Sequence, residues 1–382
     1  MALGTEKIKF LSNPTPLERM DELSKELDLN LFIKRDDLTN YGGGGNKLRK
    51  LEYFLKDALD KKSTMLMTVG GAQTNRGRLT ATVAAKYGLK SAILSADTYP
   101  GEISANLLLD GILGCHVYLS ESDCMENPDE KLKKMREDVT KEWERRGEKV
   151  YYIPMGGSNE LGMLGYYDCM TEIVQQIKEY NENTYEKKDY GISCDSNVTQ
   201  NNLPKKISKP HIVVTVGSYG TYMGLLSAIA NEEIDCKLTG VTIMPYYDNP
   251  AAEILKKYGE LQRFYNLKAD LRKEDVQHVQ NAAVGDDSAL FRVADEYDFG
   301  AYNNPVSEVR ETIYHMARKE GIFLDPCYTG KTFNALMKLA EAGYFAEDET
   351  VIFIHTGGFP GLYTSQHRSE FERELKEFVH LI

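Results

Sequence analysis

Tryptophan occurs once in these 382 residues, and cysteine only six times. The six cysteines (Cys115, Cys124, Cys169, Cys194, Cys236, Cys327) are scattered, with no C-x-x-C pair among them. In a chain of this length that pattern excludes a disulfide framework and a cysteine zinc site, and predicts reduced thiols in a cytoplasm. No other metal site is expected. Positive charge is also scarce. There are 46 Lys and Arg against 58 Asp and Glu, a net charge of −12, which argues against nucleic acid or an anionic membrane as the main partner. No apolar run approaches the ~20 residues of a membrane span. From Met1 to Phe10, charged residues stand where a signal peptide would carry its apolar stretch, so no export is expected. A solenoid-type repeat is missing too.

What remains is an ordinary globular composition, 42% hydrophobic and 27% charged, in a chain long enough for two or three cores. Short β-rich runs alternate with amphipathic helical stretches. The pattern predicts strands at Thr64–Val69, Lys90–Ser95, Cys115–Leu119 and Lys149–Ile153. Helices are expected through Ala84 and Ala85, around Leu107–Leu113, and over Asp129–Arg146. After a break, His211–Val216, Leu238–Ile243 and Thr350–Ile354 read as further strands. Such alternation predicts an α/β fold of open, mostly parallel twisted sheets flanked by helices. The expected division is a larger unit of residues 1–50 and 161–382 and a smaller one of 51–160. Ligand should bind between them, at the strand C-terminal ends. Tyr180–Lys209, rich in Asn, Lys, Ser and Thr, reads as a surface insertion.

The densest chemical signal is GGGGNKLRKLEYFL, Gly42 to Leu55. Glycines free the backbone, Asn46 is placed as an N-cap, and Leu48, Leu51 and Leu55 recur at helical spacing. Lys47 then falls in the first helical turn, where the positive end of the helix dipole eases loss of its proton. A lysine so placed suits Schiff-base chemistry. A solvated lysine on an exposed helix is the alternative this segment leaves open.

Three strand-to-helix turns add to it. VGGAQTNRGR (Val69–Arg78) offers free N–H groups for an anion, with donors from Thr74 and Asn75. VTVGSYGTYMGL (Val214–Leu225) places Gly217, Gly220 and Thr221 to cradle a phosphate, without a triphosphate loop or a clean G-x-G-x-x-G. HTGGFPGLY (His355–Tyr363) is the third. In DPCYTGKT (Asp325–Thr332), Tyr328 is a candidate proton donor, Thr329 a neutral hydrogen-bond partner, and Tyr302 an aromatic partner upstream. Cys327 reads as a buried thiol rather than a nucleophile.

Taken in order, these segments resemble the D-cysteine desulfhydrase and 1-aminocyclopropane-1-carboxylate deaminase family, pyridoxal phosphate enzymes of the tryptophan-synthase-β fold type (fold type II). The resemblance rests on NPTPLERM, IKRDDL, GGNKLRKLE, GGAQTN, IPMGGSNELGMLGY, VGSYGT, DPCYTGK and HTGG, and spans nearly the whole chain outside Tyr180–Lys209. It implies that pyridoxal 5′-phosphate sits between the domains, bound covalently by Lys47. Asn75 would meet the ring 3′-oxygen, and Gly217, Ser218, Gly220 and Thr221 would form the phosphate cup. Tyr302 would pack on the ring, and Thr329 would contact the pyridine nitrogen. Substrate would meet Gln73, Thr74, Asn75 and Tyr328, with Lys47, Tyr328 and Thr74 as the catalytic set.

A glutamate at position 329, as the deaminases have, would keep the ring nitrogen protonated and strengthen the electron sink that cyclopropane opening needs. Thr329 therefore favours β-elimination. The expected reaction turns D-cysteine into pyruvate, sulfide and ammonia. Cysteate, β-chloroalanine or D-serine are alternative substrates, followed by 1-aminocyclopropane-1-carboxylate. A homodimer in the cytoplasm, acting on a small amino acid, is the expected assembly.

Three departures from the family pattern bear on the substrate. Thr74 stands where serine is usual, and Arg76-Gly77 where His-Val is usual. Tyr219 and Tyr222 are expected near the cofactor. Arg76 would either recruit a second anion such as a sulfonate, or face solvent or an acidic neighbour.

A dinucleotide oxidoreductase and a non-catalytic binding protein are the rivals from other classes. Yellow colour would separate the first, and a missing lysine would mark the second.

Overall fold

The computed structural model describes residues 2–12, 14–121, 127–189, 205–244, 249–279 and 289–380, without the side chains of 184–189. The described strands form two sheets. Strands β1 (Leu17–Arg19) and β2 (Asn30–Lys34) precede β3 (Met65–Val69), β4 (Lys90–Thr98), β5 (His116–Ser120) and β6 (Val150–Ile153). Then come β7 (Pro210–Val216), β8 (Lys237–Thr242), β9 (Val276–Val279), β10 (Phe291–Ala294) and β11 (Thr350–Ile354). The order β1-β2-β11-β7-β8-β10-β9 makes a seven-stranded sheet, and β5-β4-β3-β6 a four-stranded one. All pairings are parallel except β1 with β2. This is the α/β architecture that the alternation predicts.

Parallel strands buried on both faces need continuous apolar runs, and MLMTV (β3), HIVVTV in β7 and TVIFI (β11) supply them. Helix Gly220–Asn231 and the start of helix Glu160–Asp189 cover one face of the large sheet, through Met163, Tyr166, Met170, Met223, Leu225 and Leu226. Helices Ser307–Glu320 and Thr329–Glu341 cover the other, through Val309, Ile313, Phe333 and Leu336. Helix Lys47–Asp60 buries Leu48, Leu51, Phe54 and Leu55 against Leu66, Leu79 and Val83, and so against the small sheet.

Two expectations change. The stretch 180–209, read as a surface insertion, begins inside a helix: Glu160–Asp189 runs through Tyr180 to Asp189. Tyr180 still packs edge-on against Phe32, and Asn181 exchanges hydrogen bonds with Ile207. The rest of that expectation lies partly outside the described residues. In addition, Asn46 does not cap helix Lys47–Asp60. It is already helical, and its side chain makes no capping bond.

Candidate active site

A cavity of about 950 Å³ opens between the two sheets. Its walls come from the segments that follow β2, β3, β6, β7, β8 and β11, at Gly44–Lys47, Gly70–Gly71 and Thr74–Arg76, Pro154–Gly156, Gly217–Thr221, Met244 and Thr356–Gly358. These are the strand C-terminal ends, where open parallel sheets bind ligands. Lys47, Thr74, Asn75, Gly217, Ser218, Gly220, Thr221, Tyr302 and Tyr328 all line it. Gln73 and Thr329 do not.

Lys47 is the first residue of its helix. Burial, and after it the charge of Arg76, lower its ammonium from 10.5 to about 7, so near neutrality much of it is a free amine. Its Nζ donates to Asn46 Oδ1 at 3.2 Å, and Asn46 Nδ2 donates to Thr221 Oγ1 at 3.1 Å. Asn46 therefore ties the amine to the glycine turn on the opposite wall.

That turn, Gly217 to Thr221, leads from β7 into helix Gly220–Asn231 and presents a helix N-terminus to the cavity. Tyr219 occupies the left-handed region at φ 61°. A Cβ on Gly220 would lie 2.5 Å from Ser158 Oγ and 2.7 Å from Lys50 Nζ, so only glycine fits. Lys50 thus places its amine directly behind the turn. It is 1% exposed, with Nζ 3.4 Å from Gly156 O, and its pKa is driven well down by burial and then by Lys47 and Arg76. The sequence reading missed Lys50. The signal was its spacing of three from Lys47, which puts both on one helix face. Tyr222, expected near the cofactor, instead lies in the core with its hydroxyl on Arg292 O, whereas Tyr219 does line the cavity.

On the facing wall, Thr74 is the N-cap of helix Asn75–Lys86 and accepts from Gly77 N at 3.3 Å. A Cβ on Gly77 would sit 2.4 Å from the Thr74 methyl and 2.6 Å from Ile93 Cδ1. The two departures are therefore coupled, because Gly77 makes room for the extra methyl of Thr74. Asn75 Oδ1 accepts from Asn106 Nδ2 at 2.9 Å, leaving its Nδ2 as the donor for a ligand. Gln73 turns away: its Nε2 donates to Ser104 O and its Oε1 accepts from Asn106 N. Arg76 is buried in the wall, and among the described residues it has no acidic partner, so neither form of the alternative reading is met there.

Tyr302 and Tyr328 share a hydroxyl–hydroxyl hydrogen bond, with rings edge to face at 5.4 Å. Lys331 steadies them, its buried ammonium donating to the carbonyls of Ile243, Asp298, Ala301 and Tyr302. Thr329 is fully buried behind them. Its hydroxyl donates to Asp325 Oδ1 at 2.8 Å and accepts from Asp325 N at 2.8 Å. The same carboxylate receives the N–H groups of Cys327, Tyr328 and Thr329, fixing the turn. Cys327 is a buried thiol on Asn303, its pKa pushed well up by burial.

A half-deprotonated lysine, a glycine turn at a helix N-terminus and an amine behind that turn suit a phosphate-bearing aldehyde. The comparisons agree. A family model described as pyridoxal-phosphate dependent enzyme matches residues 8–357. A Thermotoga maritima protein named "Putative 1-aminocyclopropane-1-carboxylate deaminase" is 34% identical over 95% of this chain and 99% of its own. One of the same name from Pyrococcus furiosus is 33% identical over 94% and 93%. A crystal structure titled as an ACC deaminase homologue superposes with a TM-score of 0.76 and 29% identity, covering 98% of this chain and 97% of the other. O-ureido-L-serine synthase, at 0.59 and 15% over 95% of each chain, shares the fold.

The protein is thus a pyridoxal-phosphate dependent enzyme of fold type II, with pyridoxal 5′-phosphate as its cofactor. Within that class the chain belongs to the D-cysteine desulfhydrase and 1-aminocyclopropane-1-carboxylate deaminase family. No helix among the described residues is long and apolar enough to cross a membrane.

Proposed function

We propose that the enzyme is a lyase that eliminates the β-substituent of a small amino acid, with D-cysteine as the reference substrate. The observation that carries this reading is the makeup of the cavity wall. Among the described lining residues the one carboxylate is Asp97, and its Oδ2 is already occupied by Ala72 N at 2.7 Å. The other polar side chains there are hydroxyls, amides and cations, set among glycines and the apolar Leu79, Pro154, Met155 and Met244, and Thr329 is withdrawn onto Asp325. Nothing there would hold a proton on a pyridine nitrogen. A site so lined suits loss of a good leaving group better than opening of an unactivated ring.

Lys47 would hold the cofactor, with Lys50 and the Gly217–Thr221 turn on its phosphate and Asn75 Nδ2 on its ring oxygen. Bound there, pyridoxal phosphate supplies the electron sink for a carbanion at the substrate Cα. The Thr74 hydroxyl and the helix N–H groups beside it orient the substrate carboxylate. Lys47 Nζ would take the Cα proton, which a pKa of about 7 suits. The Tyr328 hydroxyl, held by Tyr302, faces the leaving group. The products from D-cysteine and water are pyruvate, hydrogen sulfide and ammonia. Two exposed apolar residues four apart on helix Ala105–Ile112, Leu108 and Ile112, support a homodimer as part of the same proposal.

The names of the relatives favour a second reading, hydrolysis of 1-aminocyclopropane-1-carboxylate to 2-oxobutanoate and ammonia. Incubating the holoenzyme with D- and L-cysteine, D-serine, β-chloroalanine and the cyclopropane separates the two. Pyruvate with equimolar sulfide from D-cysteine is the expected result. Release of 2-oxobutanoate alone would replace this reading by the second.

A further inference from the structure

Arg76 sits in the first turn of helix Asn75–Lys86, lines the cavity, and is 5% exposed. Its Nη1 donates to Pro154 O at 2.8 Å. Its Nε is buried without a hydrogen-bond partner, and among the described residues Arg76 forms no ion pair. Lys47 and Lys50, both close enough for the charge of Arg76 to lower their pKa values, carry its own sign. Burying a guanidinium that keeps an open N–H and meets no anion is costly, and natural sites offset that cost with an anionic ligand.

The other cations of the cavity already have duties. Arg78 is spread over Asn106 Oδ1 at 2.8 Å and the carbonyls of Gly42 and Gly44. Lys257 pairs with Glu253 at 3.0 Å. Lys50 stands behind Gly220, against the turn suited to the phosphate. Thr74 and the helix N-terminus can serve one carboxylate. An anion for Arg76 is left over.

We infer that Arg76 receives a second anionic group of the substrate. The preferred ligands would then be small amino acids whose β-carbon bears a carboxylate or sulfonate. The placement of the amino acid in this cavity rests on the lyase reading; the anion preference can be measured without turnover.

Aspartate and asparagine have nearly the same shape and differ in charge, so they are the probes. Affinities of both enantiomers of each are measured by calorimetry on the yellow holoenzyme, for wild type, Arg76→Gln and Arg76→Lys. Wild type should prefer aspartate by about tenfold or more, the gain of one charge-assisted contact. The ratio should fall to about one in Arg76→Gln and stay partly intact in Arg76→Lys, which keeps the charge. A wild-type ratio near one would overturn the inference. So would a preference that survives Arg76→Gln, or loss of the yellow cofactor from that variant, which would assign Arg76 to the phosphate. Sulfide release from D-cysteine is followed in parallel. A preference for aspartate with no sulfide released retires the lyase reading and keeps the anion site. Sulfide release with no preference does the reverse.

Discussion

Lys47, Arg49 and Lys50 stand within four residues of one helix, Arg49 and Lys50 buried and Lys47 half-buried on the cavity wall, yet they meet opposite electrostatic fates. Arg49 lies in a closed network. Its Nε and Nη2 each reach Asp36 at 2.8 Å, and its Nη1 and Nη2 reach Glu172 at 3.0 and 2.8 Å. Lys34 adds a second cation to Glu172, and the Tyr166 hydroxyl donates to Asp36. Asp36 is held at about 2 against its own burial by Arg49 and Lys34. Arg49 is raised well above its usual value despite burial. Among the described residues Lys47, Lys50 and Arg76 meet an amide oxygen and two backbone carbonyls and no carboxylate, and all three are depressed, chiefly by burial. The contrast teaches that a buried cation with its carboxylate is a fastening, here joining β2, its following loop and two helices. A buried cation without one is a vacancy for an anion.

Breaking the second cluster has the largest expected effect on function. Lys47→Met should abolish turnover and remove the yellow colour of the holoenzyme, because no other group presents an amine in the same place. Turnover assays and an absorbance scan after dialysis check it.

Breaking the first should be the largest effect on stability. Arg49→Met leaves Asp36 and part of Glu172 buried and unmatched, and should cost about 3–5 kcal/mol. Urea denaturation of the holoenzyme measures this; a loss under 1 kcal/mol would mean that the network is not a fastening.

A pH series on the apoprotein sharpens the contrast. The folded Lys47 has a pKa of about 7 against 10.5 unfolded. Below pH 7 its charge therefore destabilises the fold by a few kcal/mol, roughly 3–5, and this penalty fades as pH rises from 7 to 10. Apo Lys47→Met should accordingly be more stable than the apo wild type at pH 6.5, and the gap should close by pH 10. Thermal melts across that range test the sign. Asp36 works the other way: its stabilisation is present above about pH 4 and is lost as pH falls toward 2.

The smallest effect belongs to Lys50→Met. It should weaken cofactor affinity about 10–100-fold, by removing a charge-assisted phosphate contact, while leaving stability unchanged or higher. Titrating apoprotein with pyridoxal phosphate and melting both forms checks the two halves.

Much of this frame is legible in the chain. Buried parallel strands such as MLMTV and TVIFI need unbroken apolar runs, and those announce themselves. Strand β2, NLFIK, does not, because it ends on Lys34, whose burial becomes tolerable only once Glu172 and Gln176 arrive from a distant helix. The end of helix Glu160–Asp189 is hidden for a different reason: Glu182 and Asn183 are already exposed, and a helix leaving the core carries no apolar stripe. Glycine turns mark the phosphate side of the site, since backbone conformation restricts residue type there. The cationic side is half legible: Arg76 stands out as a departure from the family pattern, whereas Lys50 looks like a surface residue until the fold closes over it. Gln73 and Thr329 stand off the cavity wall for a related reason. Their place in a motif is local, but their hydrogen bonds to Asn106 and Asp325 decide which way they face.

Reducing the holoenzyme with borohydride and mapping the pyridoxyl-labelled peptide tests the central claim most directly. Two lysines three residues apart have depressed pKa values, Lys47 on the cavity wall and Lys50 buried behind the glycine turn. If Lys50 is the phosphate's counter-charge and Lys47 the amine, all label falls on Lys47. Label on Lys50 would reverse the two roles and contradict the account.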